Sequence, residues 1–214
     1  MARGKLITIE GIDGAGKTTL GLALVSALQA RGIDARLLRE PGGVRAAEHI
    51  RTLVQDSDLQ IGSRAEALLY AAARAQLVEE AVEPLLTDGV YVVLDRFVDS
   101  SLAYQGAGRG LGIAAVRTIN EFATQSLTPD VTLLLDVDRD LGRRRSQERP
   151  APLDRLEREQ DDFFDRIATA YGELAEASPE RIRVVDASRP PEDVLEQALA
   201  AIGQALGRVE AQSE

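Results

Sequence analysis

A glycine-rich segment near the amino terminus has the residue types and spacing for phosphate chemistry. Residues 11–18 have the sequence GIDGAGKT and fit the pattern G-x-x-x-x-G-K-[ST]. In such a loop the glycines let backbone N–H groups turn toward phosphates, and the next helix adds its positive dipole. Lys17 is predicted to reach the β- and γ-phosphates of a nucleoside triphosphate, and the Thr18 hydroxyl to bind Mg²⁺. The predicted phosphate-binding residues are Gly11, Ile12, Asp13, Gly14, Ala15, Gly16, Lys17, Thr18 and Thr19.

The segments on either side of this loop fit the context that its chemistry requires. Residues 5–10 are rich in β-branched side chains and are predicted to form a strand. Residues 19–31 place Leu20, Leu24 and Leu28 at helical spacing. Strand, loop and helix in this order distinguish a phosphate-binding loop from a chance glycine-rich turn.

An acidic residue follows the most apolar strand of the chain. Residues 90–94 read VYVVL, which is typical of a strand buried on both faces of a parallel sheet, and Asp95 and Arg96 come directly after it. An acid at the tip of such a strand beside a phosphate-binding loop anchors Mg²⁺ or water. Asp95 and Thr18 are therefore the predicted metal-binding residues.

The remaining patterns predict one α/β domain over residues 1–214. Expected strands at residues 5–10, 35–38, 90–94, 131–136 and 181–186 alternate with helices. This alternation favours a doubly wound, five-stranded parallel sheet. Ligands bind such sheets at the carboxyl ends of the strands, where residues 39–43, REPGG, are expected to form a loop.

One long helix is predicted over residues 63–86. Ser63 fits an N-cap, with Glu66 three residues later as the partner in a capping box. Tyr70 and Arg74 are four residues apart and can therefore share one site. An apolar stripe on this helix is expected to face the core and begins with Ala65, Leu68, Leu69 and Ala72. A flexible loop is expected at residues 106–110.

A basic segment at about residues 143–158 is predicted to be a mobile lid over the phosphate site. Residues 143–155 contain two prolines and five arginines, which are Arg143, Arg144, Arg145, Arg149 and Arg155. Closing lids exclude water and complete catalytic sites. The alternative is a solvated, charged loop.

Composition limits the classes of function. Apolar residues make up 44% and charged residues 28% of the 214 residues, as in ordinary globular proteins. The absence of cysteine excludes disulfides and thiolate metal sites. The net charge of −10 argues against nucleic acid as a partner. Neither a membrane-spanning run nor a secretory signal is recognisable, so a cytoplasmic location without membrane partners is expected.

Three classes of nucleotide-binding protein remain to be compared. A GTPase switch needs an Asn-Lys-x-Asp motif, which is excluded because lysine occurs only at positions 5 and 17. A nucleic-acid-driven ATPase should carry a basic track, which the acidic balance disfavours. A small-molecule kinase needs a second pocket for an acceptor and a lid against water. Arginines at strand and helix ends, Arg39, Arg51, Arg74 and Arg96, fit that class.

Several further motifs together resemble the thymidylate kinase family over nearly the whole chain. They are the phosphate loop, REPGG at 39–43, YAAAR at 70–74, DRF at 95–97, SSLAYQG at 100–106, RG at 109–110 and DRLE at 154–157. The resemblance implies a P-loop nucleoside monophosphate kinase fold and transfer of phosphate from ATP to dTMP, giving dTDP, with Mg²⁺. It also implies a homodimer.

The resemblance assigns roles around the acceptor. Asp13 accepts from the sugar 3′-hydroxyl, Arg51 and Arg96 hold the acceptor phosphate, and Tyr104 crowds the 2′ position. On the base, Tyr70 stacks, Arg74 donates to a carbonyl, and Ser101 and Gln105 read the other polar edge. The full set implied for dTMP is Asp13, Arg39, Pro41, Arg51, Tyr70, Arg74, Arg96, Ser100, Ser101, Tyr104 and Gln105.

Position 14 separates two branches of the family. Some members carry an arginine in the phosphate loop, whereas this chain has Gly14 and an arginine-rich lid. The resemblance therefore implies that the lid supplies the catalytic cation, with Arg155 favoured over Arg149. The implied catalytic residues are Lys17, Asp13, Arg96, Arg155 and Arg149. The alternatives are a kinase for another pyrimidine nucleotide and an ATP-dependent regulatory switch.

Overall fold

The computed structural model describes residues 2–148, 155–156 and 158–207. Its strands are β1 (Leu6–Glu10), β2 (Ala35–Arg39), β3 (Tyr91–Asp95), β4 (Val131–Asp136) and β5 (Ile182–Asp186). The helices are α1 (Lys17–Gln29), α2 (Arg45–Gln55), α3 (Ser63–Leu77), α4 (Glu83–Thr87), α5 (Val98–Ser101), α6 (Ile113–Thr124), α7 (Arg139–Gln147), α8 (Asp161–Ala177) and α9 (Pro191–Leu206). Two π-helical segments, Val78–Val82 and Leu102–Gly108, continue α3 and α5.

The sheet is parallel throughout and runs in the order β2-β3-β1-β4-β5. All five residues of β1 are buried, as expected for the central strand of a sheet covered on both faces. One face packs against α1 and α9 through Leu24, Leu28 and Ile202. The other packs against α3, α4, α6 and α8, with Leu77, Leu86 and Ile167 in its two clusters. The predicted fold class is confirmed.

The strand order brings the carboxyl ends of β1, β2 and β3 together at one edge. The chain leaves β1 toward β2 on one side, and β4 extends the sheet on the other. A crevice forms where the direction of winding reverses, and ligands bind there in doubly wound folds. The phosphate loop and the loops after β2 and β3 all open into this crevice.

The predicted long helix is present, but its orientation differs from the prediction. Gly62 occupies the N-cap, and the Glu66 side chain is buried, so the predicted capping box is wrong. The buried residues of α3 are Glu66, Ala67, Ala71, Ala73, Arg74 and Leu77. The first half of the apolar stripe faces outward instead, and Leu68 is 56% exposed. Its continuation faces the core as predicted, with Val78 and Val82 buried. Glu66 and Arg74 can be buried because each forms an ion pair within the protein, Glu66 with Arg109 and Arg74 with Glu40.

The expected flexible loop at residues 106–110 is wrong over its first three residues, which belong to the π-helical segment. Its glycines allow close packing: a Cβ atom on Gly106 would lie 3.2 Å from Ile113 Cα. A Cβ atom on Gly108 would lie 2.7 Å from the ring of Phe163 on α8. In the lid segment, residues 143–147 are helical, and Arg149 and Asp154 lie outside the described residues. Within the described parts of the chain, no helix has the length and apolar character needed to cross a membrane.

Gly108→Ala should destabilise the protein by about 1–3 kcal/mol, because the added methyl group overpacks the contact with Phe163. Urea unfolding followed by circular dichroism measures the change. Gly172→Ala is the matched control, since Gly172 lies exposed within α8 and its Cβ would meet nothing within 4 Å. That control should stabilise by about 0.5–1 kcal/mol. Equal effects at the two positions would contradict the packing role of Gly108.

Candidate active site

A cavity of about 910 Å³ opens at the carboxyl ends of β1, β2 and β3. All eleven residues predicted to bind the acceptor line it, together with Asp95 of the predicted metal site. The phosphate loop contributes six residues, Asp13, Gly14, Gly16, Lys17, Thr18 and Thr19. Of the other predicted loop residues, Ile12 lines a smaller neighbouring pocket and Ala15 is buried beneath the loop. The structure therefore unites the predicted phosphate loop and the predicted acceptor residues in one cavity.

The phosphate loop has the backbone that its sequence requires. Gly11, Gly14 and Gly16 have φ angles of 135°, 78° and 94°, a region that side-chain-bearing residues rarely adopt. Lys17 closes the loop, with Nζ donating to the carbonyls of Gly11 at 3.1 Å and Ile12 at 2.7 Å. Burial and the nearby Arg96 guanidinium lower the pKa of Lys17 to about 8. A phosphate would therefore bring Lys17 a stronger partner than the two carbonyls.

Gly14 is in contact with α7, the helix that leads into the predicted lid segment. A Cβ atom at this position would lie 1.9 Å from the carbonyl oxygen of Gly142 on α7. Together with the positive φ angle, this contact leaves no space for an arginine side chain at this position. The packing of α7 thus gives the physical reason for glycine here.

Thr18 and Asp95 lie together at the base of the cavity, where α1 begins and β3 ends. Thr18 Oγ1 donates to Asp95 Oδ2 at 2.6 Å. A hydroxyl and a carboxylate are oxygen ligands of the kind that Mg²⁺ prefers. The pair therefore fits the predicted metal site in both chemistry and position.

Asp13, Arg96 and Tyr104 form a hydrogen-bonded group across the cavity. Arg96 Nη2 donates to Asp13 Oδ1 at 2.6 Å, and Tyr104 Oη donates to Asp13 Oδ2 at 3.1 Å. Burial raises the pKa of Asp13, but Arg96 and Lys17 outweigh it, and the resulting pKa is about 2. Arg96 itself has a φ angle of 72°, a strained conformation for a residue with a side chain.

Behind this group lies Glu10, a residue that the sequence analysis missed. Its carboxylate accepts from the backbone N–H groups of Phe97 at 2.8 Å and Ser100 at 3.2 Å, and from Tyr171 Oη at 3.0 Å. These bonds hold the turn in which Arg96 is strained. The sequence did contain a signal for Glu10, because it is an acid at the end of an apolar strand, directly before the phosphate loop. The pKa of Glu10 is raised to about 7, mainly by burial and to a smaller extent by the negative charge of Asp99.

Arg74 is 1% exposed, and its guanidinium is engaged by the protein. Nε donates to Glu40 Oε2 at 2.8 Å, and Nη2 lies 2.6 Å from the same oxygen and donates to the Phe97 carbonyl. Nη1 donates to Ser101 Oγ at 2.9 Å and to the Asn120 side chain. A base carbonyl must therefore replace one of these acceptors. Ser101 lines the cavity and is uncharged, so its replacement leaves no carboxylate unpaired.

The other predicted acceptor arginines support the loop after β2. Arg51 Nη1 donates to the Pro41 carbonyl at 2.9 Å. Arg39 Nη2 pairs with Glu48 at 3.1 Å, and Glu48 also accepts from the N–H of Gly43 at 2.8 Å. Arg39 thus braces this loop while lining the cavity.

The lid arginines lie on different sides of the cavity. Arg155, the favoured catalytic arginine, donates to the Val54 carbonyl at 3.1 Å and to Glu66 Oε2 at 2.7 Å, beside α2 and α3. Arg145 of α7 lines the cavity and donates to the Ala187 carbonyl, just beyond β5, at 2.9 Å. Nothing in the sequence distinguishes Arg145 from the neighbouring arginines.

Glu10→Gln tests the unusual carboxyl beneath the site. Below pH 4.5 the Glu10 carboxyl is protonated whether the chain is folded or not. Between pH 4.5 and about 7 folding takes up a proton, so the contribution of Glu10 to stability falls as pH rises. The free energy of unfolding of the wild type relative to Glu10→Gln should fall by about 1–3 kcal/mol from pH 4 to 8. Urea titrations across this range measure it, and parallel pH profiles for the two proteins would contradict the raised pKa.

Comparisons with known proteins agree with this geometry. A sequence model described as thymidylate kinase matches residues 9–198. The chain is 48% identical over 205 residues to the thymidylate kinase of Latilactobacillus sakei, covering 94% of this chain and 96% of the relative. It is 46% identical over 209 residues to that of Geobacillus thermodenitrificans, covering 97% and 92%. The crystal structure of thymidylate kinase from Ehrlichia chaffeensis matches with a TM-score of 0.76 at 27% identity, covering 94% and 98% of the two chains. The chain belongs to the thymidylate kinase family.

Proposed function

We infer that the protein transfers the γ-phosphoryl group of ATP to dTMP, producing dTDP and ADP. One observation carries this inference: a single cavity joins the phosphate loop to a pocket lined by all eleven acceptor residues that the family resemblance implied. Phosphoryl transfer needs two aligned substrates and spread positive charge, with little covalent work by the protein. The cavity meets both requirements.

The acceptor is held at its phosphate and sugar. Arg96 and Arg51 bind the phosphate, which replaces part of the present pairing of Arg96 with Asp13. The Asp13 carboxylate then accepts from the sugar 3′-hydroxyl, and its low pKa keeps it ionised throughout the neutral range. Tyr104, fixed against Asp13 and stacked under the Arg96 guanidinium at 5.0 Å, limits the space beside the sugar. These residues orient the attacking oxygen.

The base lies between α3 and the π-helical segment Leu102–Gly108. Tyr70, half-buried on α3, stacks on the ring. Arg74 donates to a base carbonyl that takes the place of Ser101 Oγ. Gln105, 2% exposed and lining the cavity, reads the neighbouring polar edge.

Thr18 and Asp95, whose oxygens lie 2.6 Å apart, would hold Mg²⁺, and the ion would supply charge neutralisation at the nucleotide phosphates. Lys17 leaves the Gly11 and Ile12 carbonyls to meet the same phosphates. Lys17 thereby exchanges bonds within the protein for bonds to the nucleotide.

The lid supplies further positive charge at the transferring group. Arg155 reaches it only after releasing Glu66 and the Val54 carbonyl, so the lid must move for catalysis. Arg145 already lines the cavity and is the second source. Arg149 remains a prediction, because it lies outside the described residues.

Two copies of the chain form a homodimer through α2, α3 and α6. These helices pack side by side and present Leu53, Leu68 and Phe122, which are 41%, 56% and 88% exposed. Exposed large apolar side chains on neighbouring helices are typical of interaction surfaces. The cytoplasm, where ATP and dTMP are available, is the proposed location, and neither nucleic acid nor membrane is a proposed partner.

A coupled assay with ATP and Mg²⁺ tests the function directly. The wild-type protein is expected to release ADP fastest with dTMP, compared with dUMP, dCMP and UMP at equal concentration. Faster turnover of another pyrimidine nucleotide would favour the alternative acceptor. ATP hydrolysis that is insensitive to every monophosphate would favour a regulatory ATPase instead.

Arg155→Ala is expected to lower kcat by at least about tenfold, because charge on the transferring group is stabilised only in the closed state. Direct binding of an ATP analogue should change by less than about threefold, a difference of roughly 0.7 kcal/mol. Arg145→Ala should weaken binding of the analogue more than Arg155→Ala does, since Arg145 already lies in the open cavity.

Arg139→Ala serves as the control for both variants. Arg139 lies on the same helix as Arg145, and its guanidinium pairs with Asp165 on α8. If Arg155→Ala and Arg145→Ala both retain the kcat of this control, neither of these two arginines supplies the catalytic charge.

A further inference from the structure

Glu66 is a fully buried carboxylate beside the base pocket. It lies on α3 at 0% exposure, four residues before Tyr70 and eight before Arg74, and hence on the same face of the helix. Oε1 accepts from Gln105 Nε2 at 2.9 Å, and Oε2 accepts from Arg155 Nη2 at 2.7 Å. Arg109 Nε donates to both oxygens at 3.2 Å. Glu66 thus joins the base-reading residue Gln105 to two arginines.

The contact between Glu66 and Gln105 determines which way the Gln105 amide points. A side-chain amide has a donor end and an acceptor end of nearly equal size, and only its partners distinguish the two orientations. A carboxylate paired with guanidinium groups has only acceptors to offer. The NH₂ group of Gln105 must therefore face Glu66, which leaves Oε1 as the end available to a ligand in the cavity.

We propose that Glu66 is a positioning residue that fixes the Gln105 amide so that the pocket presents a hydrogen-bond acceptor to the base. This inference rests on the proposed function and makes its base selectivity specific. Thymine carries a donor at N3–H, which an acceptor at Gln105 Oε1 satisfies. Cytosine carries an acceptor at N3, which would face Oε1 without a hydrogen and lose that bond.

The arginine partners of Glu66 make this orientation independent of the lid. Arg155 must leave Glu66 if it enters the phosphate site, but Arg109 remains in place. Arg109 is itself fixed by Glu159, at 2.5 Å, and by stacking of its guanidinium over the Phe163 ring at 4.8 Å. Glu66 therefore keeps a guanidinium partner when the lid closes.

Glu66→Gln tests the proposal, because a glutamine at position 66 can either donate to Gln105 or accept from it. The readout is the ratio of kcat/KM for dTMP to that for the analogue whose base is 2,4-difluorotoluene. This analogue has the shape of thymine but has C–H in place of the N3–H donor and fluorine in place of both carbonyl oxygens. Comparison in a Gln105→Ala background separates the loss at N3 from the loss at the carbonyls. Effects of the substitution on the lid or on folding lower both values and cancel in the ratio. The ratio is expected to fall by about tenfold, mainly through KM for dTMP.

Glu159→Gln is the matched control. It removes a carboxylate from the same arginine, Arg109, and lies away from Gln105. Its ratio should equal that of the wild type. In a Gln105→Ala background, Glu66→Gln should have no further effect on the ratio, because the two substitutions remove one interaction. The proposal would be overturned if the two substitutions changed the ratio independently, so that their effects multiplied in the double variant. An unchanged ratio in Glu66→Gln would also overturn it.

Neutron diffraction of the wild-type protein with dTMP provides a test that needs no variant. Deuterons on Gln105 directed at Glu66 are the expected result, and deuterons directed at N3 of the base would overturn the proposal. Failure of the wild type to phosphorylate dTMP would instead reject the proposed function. Normal turnover with an unchanged ratio in Glu66→Gln would reject only the role of Glu66.

Discussion

The ion pair between Arg96 and Asp13 is the interaction on which the architecture of the site depends. It joins the loop after β1 to the turn after β3 at a separation of 2.6 Å. Both side chains are largely withdrawn from water, so neither charge could remain there without the other. The strained backbone of Arg96 is held by bonds from Phe97 and Ser100 to Glu10. Central strand, phosphate loop and acceptor arginine are thereby fixed relative to one another before a substrate arrives.

The same principle recurs around the cavity. Glu40 pairs with Arg74, and Glu66 with Arg109 and Arg155. Arginine suits these positions because its planar guanidinium donates in several directions at once. The lysine ammonium is a compact charge that is more strongly hydrated and therefore harder to bury. Removing one partner of such a pair is costly, since it leaves a buried charge unpaired. Ion pairs therefore fix the side chains beside the proposed base pocket.

Much of this arrangement could be predicted from the sequence, because the informative residues lie in short motifs attached to strands. The phosphate loop, Asp95 with Arg96, and the pair Tyr70 and Arg74 are each identifiable within a few positions. Glu66 was misread because the capping pattern is local, whereas its partners are 39 to 89 residues away in sequence. The outward apolar stripe of α3 was misread for the opposite reason: helical periodicity identifies a face without saying what covers it. Gly106 and Gly108 predicted flexibility, but contacts with Ile113 and Phe163 decide their conformation.

The contact of Gly14 with Gly142 has a consequence for how the two branches of the family could be related by descent. An ancestor with this packing cannot acquire a loop arginine by one substitution, because the new side chain would meet the backbone of α7 at 1.9 Å from its first carbon. Helix α7 would have to shift as well, so the loop and the helix would have to change together.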